Sequence, residues 1–245
     1  MHLFRRLLLI AGLVAGLFAA LPAFAQDLLI AAGAGYKRPV GELCAAFQKQ
    51  SGIKVEQVYG NMGNIVAQTK QGGEIAVIFG DHAFLAGVDG LNFASFLPLG
   101  NGRLVVAWPT GGKLGTPAEL ADARFARIAM PNPKAAIYGI AASEFMERSK
   151  LKAALQDRLQ VVATVPQVSA YLISGDIDAG FINLTEALAI APKIGGYQEI
   201  DGALYTPIRI VGGVLRTQAQ RAEVLALGRF LESDEARAIL KRNGL

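Results

Sequence analysis

The chain has 245 residues, 52% of them hydrophobic and 18% charged, and a formal net charge of +4 at pH 7. That length can bury a full core without covalent staples, and a single cysteine, Cys44, excludes an intramolecular disulfide. Beyond residue 25 the one histidine is His82, too few bases and ligands for a multi-ligand zinc site or a Ser-His-Asp hydrolase.

Residues 1–25 hold no acid, two arginines (Arg5, Arg6), an apolar run from Leu7 to Ala20, and then Pro22-Ala23-Phe24-Ala25. A basic start, an apolar centre and an A-x-A ending make a secretory signal peptide cleaved after Ala25. The apolar run is shorter than the about 20 residues a membrane helix needs. Export to the periplasm is therefore expected, and loss of the two arginines takes the formal charge from +4 to +2. No cluster of Lys and Arg interleaved with aromatics occurs, which argues against nucleic acid as a partner.

After the signal, strand-like and helix-like segments alternate. Leu28 to Ala32 reads as a buried strand ending in the turn Gly33-Ala34-Gly35. Pro39 suits the first turn of a helix with Val40, Leu43 and Phe47 on its apolar face, stopped by Gly52. Cys44 on that helix reads as a buried, inert thiol. Ile53 to Tyr59 is a strand, and Gly60-Asn61-Met62-Gly63 a second glycine-rich turn into a helix reaching Lys70. Ile75 to Phe79 is a third strand, with Asp81 a helix cap and His82 a surface or capping residue.

Arg103 to Trp108 is a strand, with Trp108 a core or hinge residue, and Thr116-Pro117-Ala118-Glu119 starts a short helix. Ile128 to Met130 is a strand, followed by Pro131-Asn132-Pro133 and a helix over 139–150. Leu159 to Ala163 (strand), Val165 to Ile173 (helix), Ile177 to Ile182 (strand) and a long strand from Tyr205 to Leu215 follow. Asp176 and Asp178 could be a carboxylate pair, but Ser174-Gly175-Asp176 reads as a turn. Helices near 219–231 and 234–242, the second capped by Ser233, close the chain. The alternation predicts α/β sheets with parallel strands. The strands near 103–109 and 205–212 are candidate crossovers between two lobes.

The two glycine-rich strand-to-helix turns are the first functional signal. Helix N-termini carry unpaired N–H groups and the positive end of the dipole, and glycine lets a ligand approach the backbone. Lys37 and Arg38 follow the first turn and offer charge to an anion, and Tyr36 beside them could line a pocket.

The chain also resembles the periplasmic molybdate-binding proteins of ABC importers, over essentially all of its length after the signal. The most specific stretches are Ala170-Tyr171-Leu172-Ile173-Ser174-Gly175-Asp176-Ile177-Asp178-Ala179-Gly180-Phe181, and Phe230 to Leu240 with the ending Asn243-Gly244-Leu245. The resemblance implies a two-lobe α/β periplasmic-binding-protein fold, each lobe a mixed, mostly parallel sheet flanked by helices and joined by crossover strands. Lobe 1 would take 26–104 and 208–245, and lobe 2 would take 105–207. It implies a monomer that carries molybdate or a related oxyanion to a membrane permease with a cytoplasmic ATPase. The ion is held by hydrogen bonds rather than by metal coordination, and neither a cofactor nor catalysis is involved. Tungstate, sulfate, a small carboxylate or a phosphonate are alternative ligands. A receptor-linked sensor or a secreted enzyme using the same cleft are alternative roles.

Residue by residue, the family's two serine positions fall at Gly35 and Met62, its second-lobe backbone donors near Tyr138 and Val165, and its tyrosine at Asn183. All three hydroxyls are thus absent. Backbone N–H groups survive any such replacement, so Gly35, Met62, Tyr138, Val165 and Asn183 are the expected ligand-binding set, with Tyr36, Lys37 and Asn61 as additional candidates.

Overall fold

The structure, a computed structural model, is described for residues 27–72 and 74–245. The export signal read in residues 1–25 lies outside the described residues.

Two five-stranded mixed sheets form the frame. The first has strand order β2-β1-β3-β10-β4, from β1 (Leu28–Gly33), β2 (Val55–Gly60), β3 (Val77–Asp81), β4 (Phe93–Gly102) and β10 (Ile208–Leu215). β1 runs parallel to β2 and β3, whereas β10 is antiparallel to β3 and β4. The second has order β7-β6-β8-β5-β9, from β5 (Leu104–Trp108), β6 (Ile128–Pro131), β7 (Leu159–Val162), β8 (Ala179–Asn183) and β9 (Gly196–Glu199). Here β6 is parallel to β7 and β8, and β5 is antiparallel to β8 and β9. Each sheet therefore has four strands running one way and one, β10 or β5, running against them. β3 and β8 are buried along their whole length, which is why they read as continuous apolar runs rather than alternating ones.

Helices cover the sheets: α1 (Lys37–Ser51), α2 (Met62–Lys70), α3 (His82–Ala86), α4 (Ile137–Arg148), α5 (Lys152–Leu155), α6 (Val165–Ser174), α7 (Leu184–Ile190), α8 (Ala222–Leu231) and α9 (Asp234–Arg242). α1 buries Val40, Leu43, Cys44 and Phe47, spaced at three to four residues. Phe47 meets Phe230 of α8 with ring centroids 5.6 Å apart. Gly52 ends α1 in the left-handed conformation, φ 73°, with its N–H on the Gln48 carbonyl. The Ser233 hydroxyl caps α9 by accepting from Ala236 N–H.

The chain changes sheet twice, at Arg103 and between Glu199 and Ile208. The return strand starts at Ile208 rather than Tyr205, because a 3-10 turn occupies Gly202–Leu204. Tyr205 instead ties the crossovers together: its hydroxyl accepts from Leu104 N–H at 3.1 Å. Asp81 caps α3 through Phe84 N–H at 2.9 Å, and its other oxygen accepts from Arg209 N–H at 3.0 Å. The division into 26–104, 105–207 and 208–245 as folding units remains a proposal.

β4, β9, α5 and α7 have no counterpart in the sequence reading. β4 is an edge strand that carries Pro98, Gly100 and Gly102 and has two register shifts against β10. Proline is tolerated at an edge because one side of the strand needs no ladder bond.

Cys44 is 1% exposed, and burial pushes its thiol pKa up to about 12. A thiol-reactive chromophore should label the protein only after denaturant unfolds it. The unfolded thiol ionises near ~8.5, while the folded one keeps its proton to about 12. Wild-type stability relative to Cys44→Ala should therefore be constant below that unfolded value and fall as pH rises through the window above it. Rapid labelling under native conditions would contradict this.

Candidate anion-binding site

A cavity of about 30 Å³ lies where the two sheets' helices meet. By this measure one water needs roughly 10–15 Å³, so the space suits a compact ligand rather than an organic cofactor. Its walls come from four strand-to-helix junctions. Gly33, Ala34, Gly35 and Tyr36 lead from β1 into α1, and Gly60, Asn61 and Met62 lead from β2 into α2. Ala136, Ile137 and Tyr138 open α4, and Thr164 and Val165 open α6. The cavity thus lies beyond the C-terminal ends of parallel strands, where ligands of open α/β sheets bind.

The backbone supplies the chemistry. Among the described residues, the N–H groups of Gly35, Ile137, Tyr138 and Val165 have no hydrogen-bond partner. First-turn N–H groups cannot be satisfied within their own helix, so the lining presents donors with nothing to accept them. No lining residue is an acid, a lysine, an arginine or a histidine. The positive potential comes from helix dipoles, each equivalent to about half a charge at its N-terminus.

The start of α2 is different. Met62 N–H donates to Ala135 O at 3.0 Å, Gly63 N–H to the same carbonyl at 3.4 Å, and Asn64 N–H to Asn61 Oδ1 at 2.8 Å. The carbonyl of Ala135, from the second sheet's side, docks on this helix end. Two further bonds join the two sides. Tyr36 and Tyr138 share a hydrogen bond between their hydroxyls at 2.5 Å, and Asn183 Nδ2 donates to Gly35 O at 3.0 Å. Burial raises both tyrosine pKa values above the usual phenol range, and for Tyr36 the neighbouring Tyr138 adds to it. Both hydroxyls stay protonated and able to donate.

Of the residues expected from sequence, Gly35, Tyr36, Asn61, Met62, Tyr138 and Val165 line the one cavity. Lys37 and Asn183 do not. Lys37 is exposed and its ammonium lies 5.9 Å from the Tyr59 ring centroid, and Arg38 beside it is also exposed. Met62 contributes backbone only, because its side chain runs into the core against Gly33 and Gly80. Asn183 is fully buried at the end of β8, against Gly35. The carboxylates are structural: Asp176 accepts from Ser174 Oγ at 2.5 Å, and Asp178 accepts from the backbone and guanidinium of Arg127 at 2.8 and 3.1 Å. Among the described residues no group of three His, Cys, Asp or Glu could hold a metal ion.

Sequence reasoning missed Ile137 and Thr164. Thr164 carried a readable signal, since Thr164-Val165-Pro166-Gln167 is a capping-box pattern. Gln167 Oε1 indeed returns to the N–H groups of Ala163 and Thr164. The Tyr36–Tyr138 pair spans 102 residues of sequence, and no local pattern announces it.

Comparison with known proteins agrees with this architecture. A family model for bacterial extracellular solute-binding proteins matches residues 28–245, and the chain belongs to that family. It is 26% identical over 241 residues to the molybdate-binding protein ModA of Rhodobacter capsulatus, covering 95% of this chain and 92% of that protein. It is 27% identical over 248 residues to ModA of Azotobacter vinelandii, covering 96% of each. The solved structure of the Azotobacter vinelandii periplasmic molybdate-binding protein superposes with a TM-score of 0.81, covering 89% of this chain and 98% of that one at 26% identity.

The tyrosine pair gives a direct test. Tyr138→Phe leaves the Tyr36 hydroxyl buried without its partner and should cost about 1–3 kcal/mol. Phe at both positions should recover part of that loss, so that a double-mutant cycle in denaturant unfolding yields a favourable coupling of about 1 kcal/mol. Gly102→Ala should act on the same point, because a Cβ there stands 2.3 Å from Tyr138 Oη and 2.8 Å from Ile208 Cγ2. Overpacking of that kind costs about 1–3 kcal/mol. Additive effects of the two tyrosine substitutions would show that the hydroxyls do not interact.

Proposed function

We propose that the protein captures a small tetrahedral oxyanion of the molybdate class in the cavity between its lobes and delivers it to the membrane permease of an ABC importer. The observation that carries this reading is the set of four unpaired backbone N–H groups, at Gly35, Ile137, Tyr138 and Val165, around one compact cavity. Donors from several helix starts converge as a tetrahedral anion requires, and they come from both sides of the cleft. Membership of a solute-binding family and likeness to two molybdate-binding proteins support the ligand class.

The ligand-binding residues in this reading are Gly35, Tyr138 and Val165 through their N–H groups, with Ile137 added. Met62 takes part once Ala135 O releases its N–H. Asn183 acts from behind Gly35. The mechanism is lobe closure: a ligand that touches both lobes binds the closed form better and shifts the population toward it. Binding and release suffice, and no bond is made or broken. The protein works as an exported monomer that needs no cofactor, in line with the signal-like residues 1–25.

Thermal unfolding tests this. In a panel of molybdate, tungstate, sulfate, phosphate and small organic acids, an oxyanion that occupies the cavity should stabilise the purified protein by about 2.7 kcal/mol at a hundred times its Kd. Replacing Val165 by proline removes one N–H donor and should weaken that oxyanion about tenfold or more, because a hydrogen bond to a charged group contributes about 1.5–3 kcal/mol. Absence of any shift with every oxyanion at millimolar concentration would refute the reading.

A further inference from the structure

We propose that the Ala135 carbonyl is an internal latch: it takes the place of a ligand oxygen at the start of α2 and holds the lobes shut when no ligand is bound. This rests on the lobe-closure reading above and adds a competition to it. The ligand and the protein's own carbonyl contend for the Met62 N–H.

The start of α2 is answered from across the cleft. Met62 and Gly63 donate to Ala135 O at 3.0 and 3.4 Å, and Asn64 N–H is held by Asn61 Oδ1 at 2.8 Å. The other three junctions around the cavity leave the N–H groups of Gly35, Ile137, Tyr138 and Val165 open. The acceptor itself is held by a braced turn. Asn132 O accepts from the N–H groups of Ala135 and Ala136 at 3.1 and 2.9 Å, and Asn132 Oδ1 accepts from Lys134 N–H at 2.9 Å. Pro133 in the same turn has a fixed φ. On the facing side, Gly63 makes the room. A Cβ there would lie 3.3 Å from the Ala135 Cβ and 3.4 Å from Asn61 Oδ1. Gly63 is not among the glycines with positive φ, so its backbone conformation does not demand glycine. The close approach of Ala135 does.

The position of this contact gives it leverage. The chain passes between the lobes from β4 to β5 and from β9 to β10. The strand orders β2-β1-β3-β10-β4 and β7-β6-β8-β5-β9 set β2 and β6 away from those crossovers. α2 follows β2, and Ala135 follows β6. The tyrosine hydroxyls, by contrast, lie beside Gly102 at the crossover itself. A contact at a pivot survives rotation about it, whereas one far from the pivot must break before the lobes part. Opening of the Ala135 contact therefore precedes entry of a ligand. The closed, ligand-free population weakens apparent affinity in proportion to the fraction that is open.

The test measures the distance between spin labels on Gln68→Cys in α2 and Gln160→Cys in β7, two exposed positions on this side of the cleft. Cys44 is 1% exposed and stays unlabelled. Without ligand, the otherwise wild-type protein should show mainly the one short distance of the closed form. Gly63→Val should add a longer one and lower the closed-to-open ratio about tenfold or more through its clash with Ala135. A predominantly long distance in the otherwise wild-type protein would overturn the latch. So would an unchanged distribution in folded Gly63→Val. Should Gly63→Val not fold, Asn132→Ala, which loosens the turn that holds Ala135, takes its place under the same two outcomes. No ligand enters the measurement, so its result stands apart from the oxyanion panel above.

Discussion

The organisation of this molecule follows from one constraint: the first N–H groups of a helix cannot be satisfied within it. Most helices meet that demand locally, as α9 does with Ser233 and α3 with Asp81. At the cleft the demand is left open. α1 and α4 start there without a side-chain cap, at Tyr36 and Ala136, while α6 carries the Thr164–Gln167 capping box, which does not reach its first N–H. Tyrosine and alanine offer no short acceptor, and the Thr164 side chain leaves Val165 N–H unpaired. Buried donors that find no protein acceptor are costly, so a chain that gathers them at one point is built to receive an acceptor from elsewhere.

The same constraint explains how the two lobes meet. The carbonyl of Ala135 sits on the N–H groups of Met62 and Gly63, a protein acceptor on a helix start from the opposite lobe. The Gly35 carbonyl in turn accepts from Asn183, and the two tyrosines share a hydrogen bond at the cavity. Each of these bonds is worth about 1 kcal/mol net. Protein contacts across the cleft and ligand contacts therefore act on the same equilibrium. The hydroxyl pair is held apart from titration by burial, which keeps this contribution constant across the physiological range.

Much of this was legible in the sequence, and what was not has physical causes. β1, β3 and β8 announced themselves because strands buried on both faces are apolar throughout. α1 was bounded by Pro39 and Gly52, whose backbone preferences act locally. The two glycine-rich turns pointed to the cavity, and a family resemblance located Tyr138 and Val165 in the second lobe. β4 escaped because an edge strand with Pro98 and Gly100 carries neither alternation nor an apolar run. Lys37, a ligand candidate by its place in the sequence, does not line the cavity, because proximity in sequence does not fix direction: the helix turns it toward Tyr59. Ala135, Ile137 and the tyrosine pair depend on how two distant segments dock, and no local pattern encodes that.

Asn183 shows why Gly35, Met62 and Asn183 should be treated as a set rather than singly. A side chain on Gly35 would press on the Asn183 amide from 3.3 Å, so a serine in the first turn and this amide compete for one space. The amide in turn is short enough to reach the Gly35 carbonyl from the end of β8, which fixes its orientation. Met62 turns its side chain into the core, where its terminal carbon stands only 2.8 Å from the position of a Gly80 Cβ. A shorter polar side chain there would leave a void against Gly80 as well as add a donor. The three positions are thus coupled through packing, Gly35 with Asn183 and Met62 with Gly80.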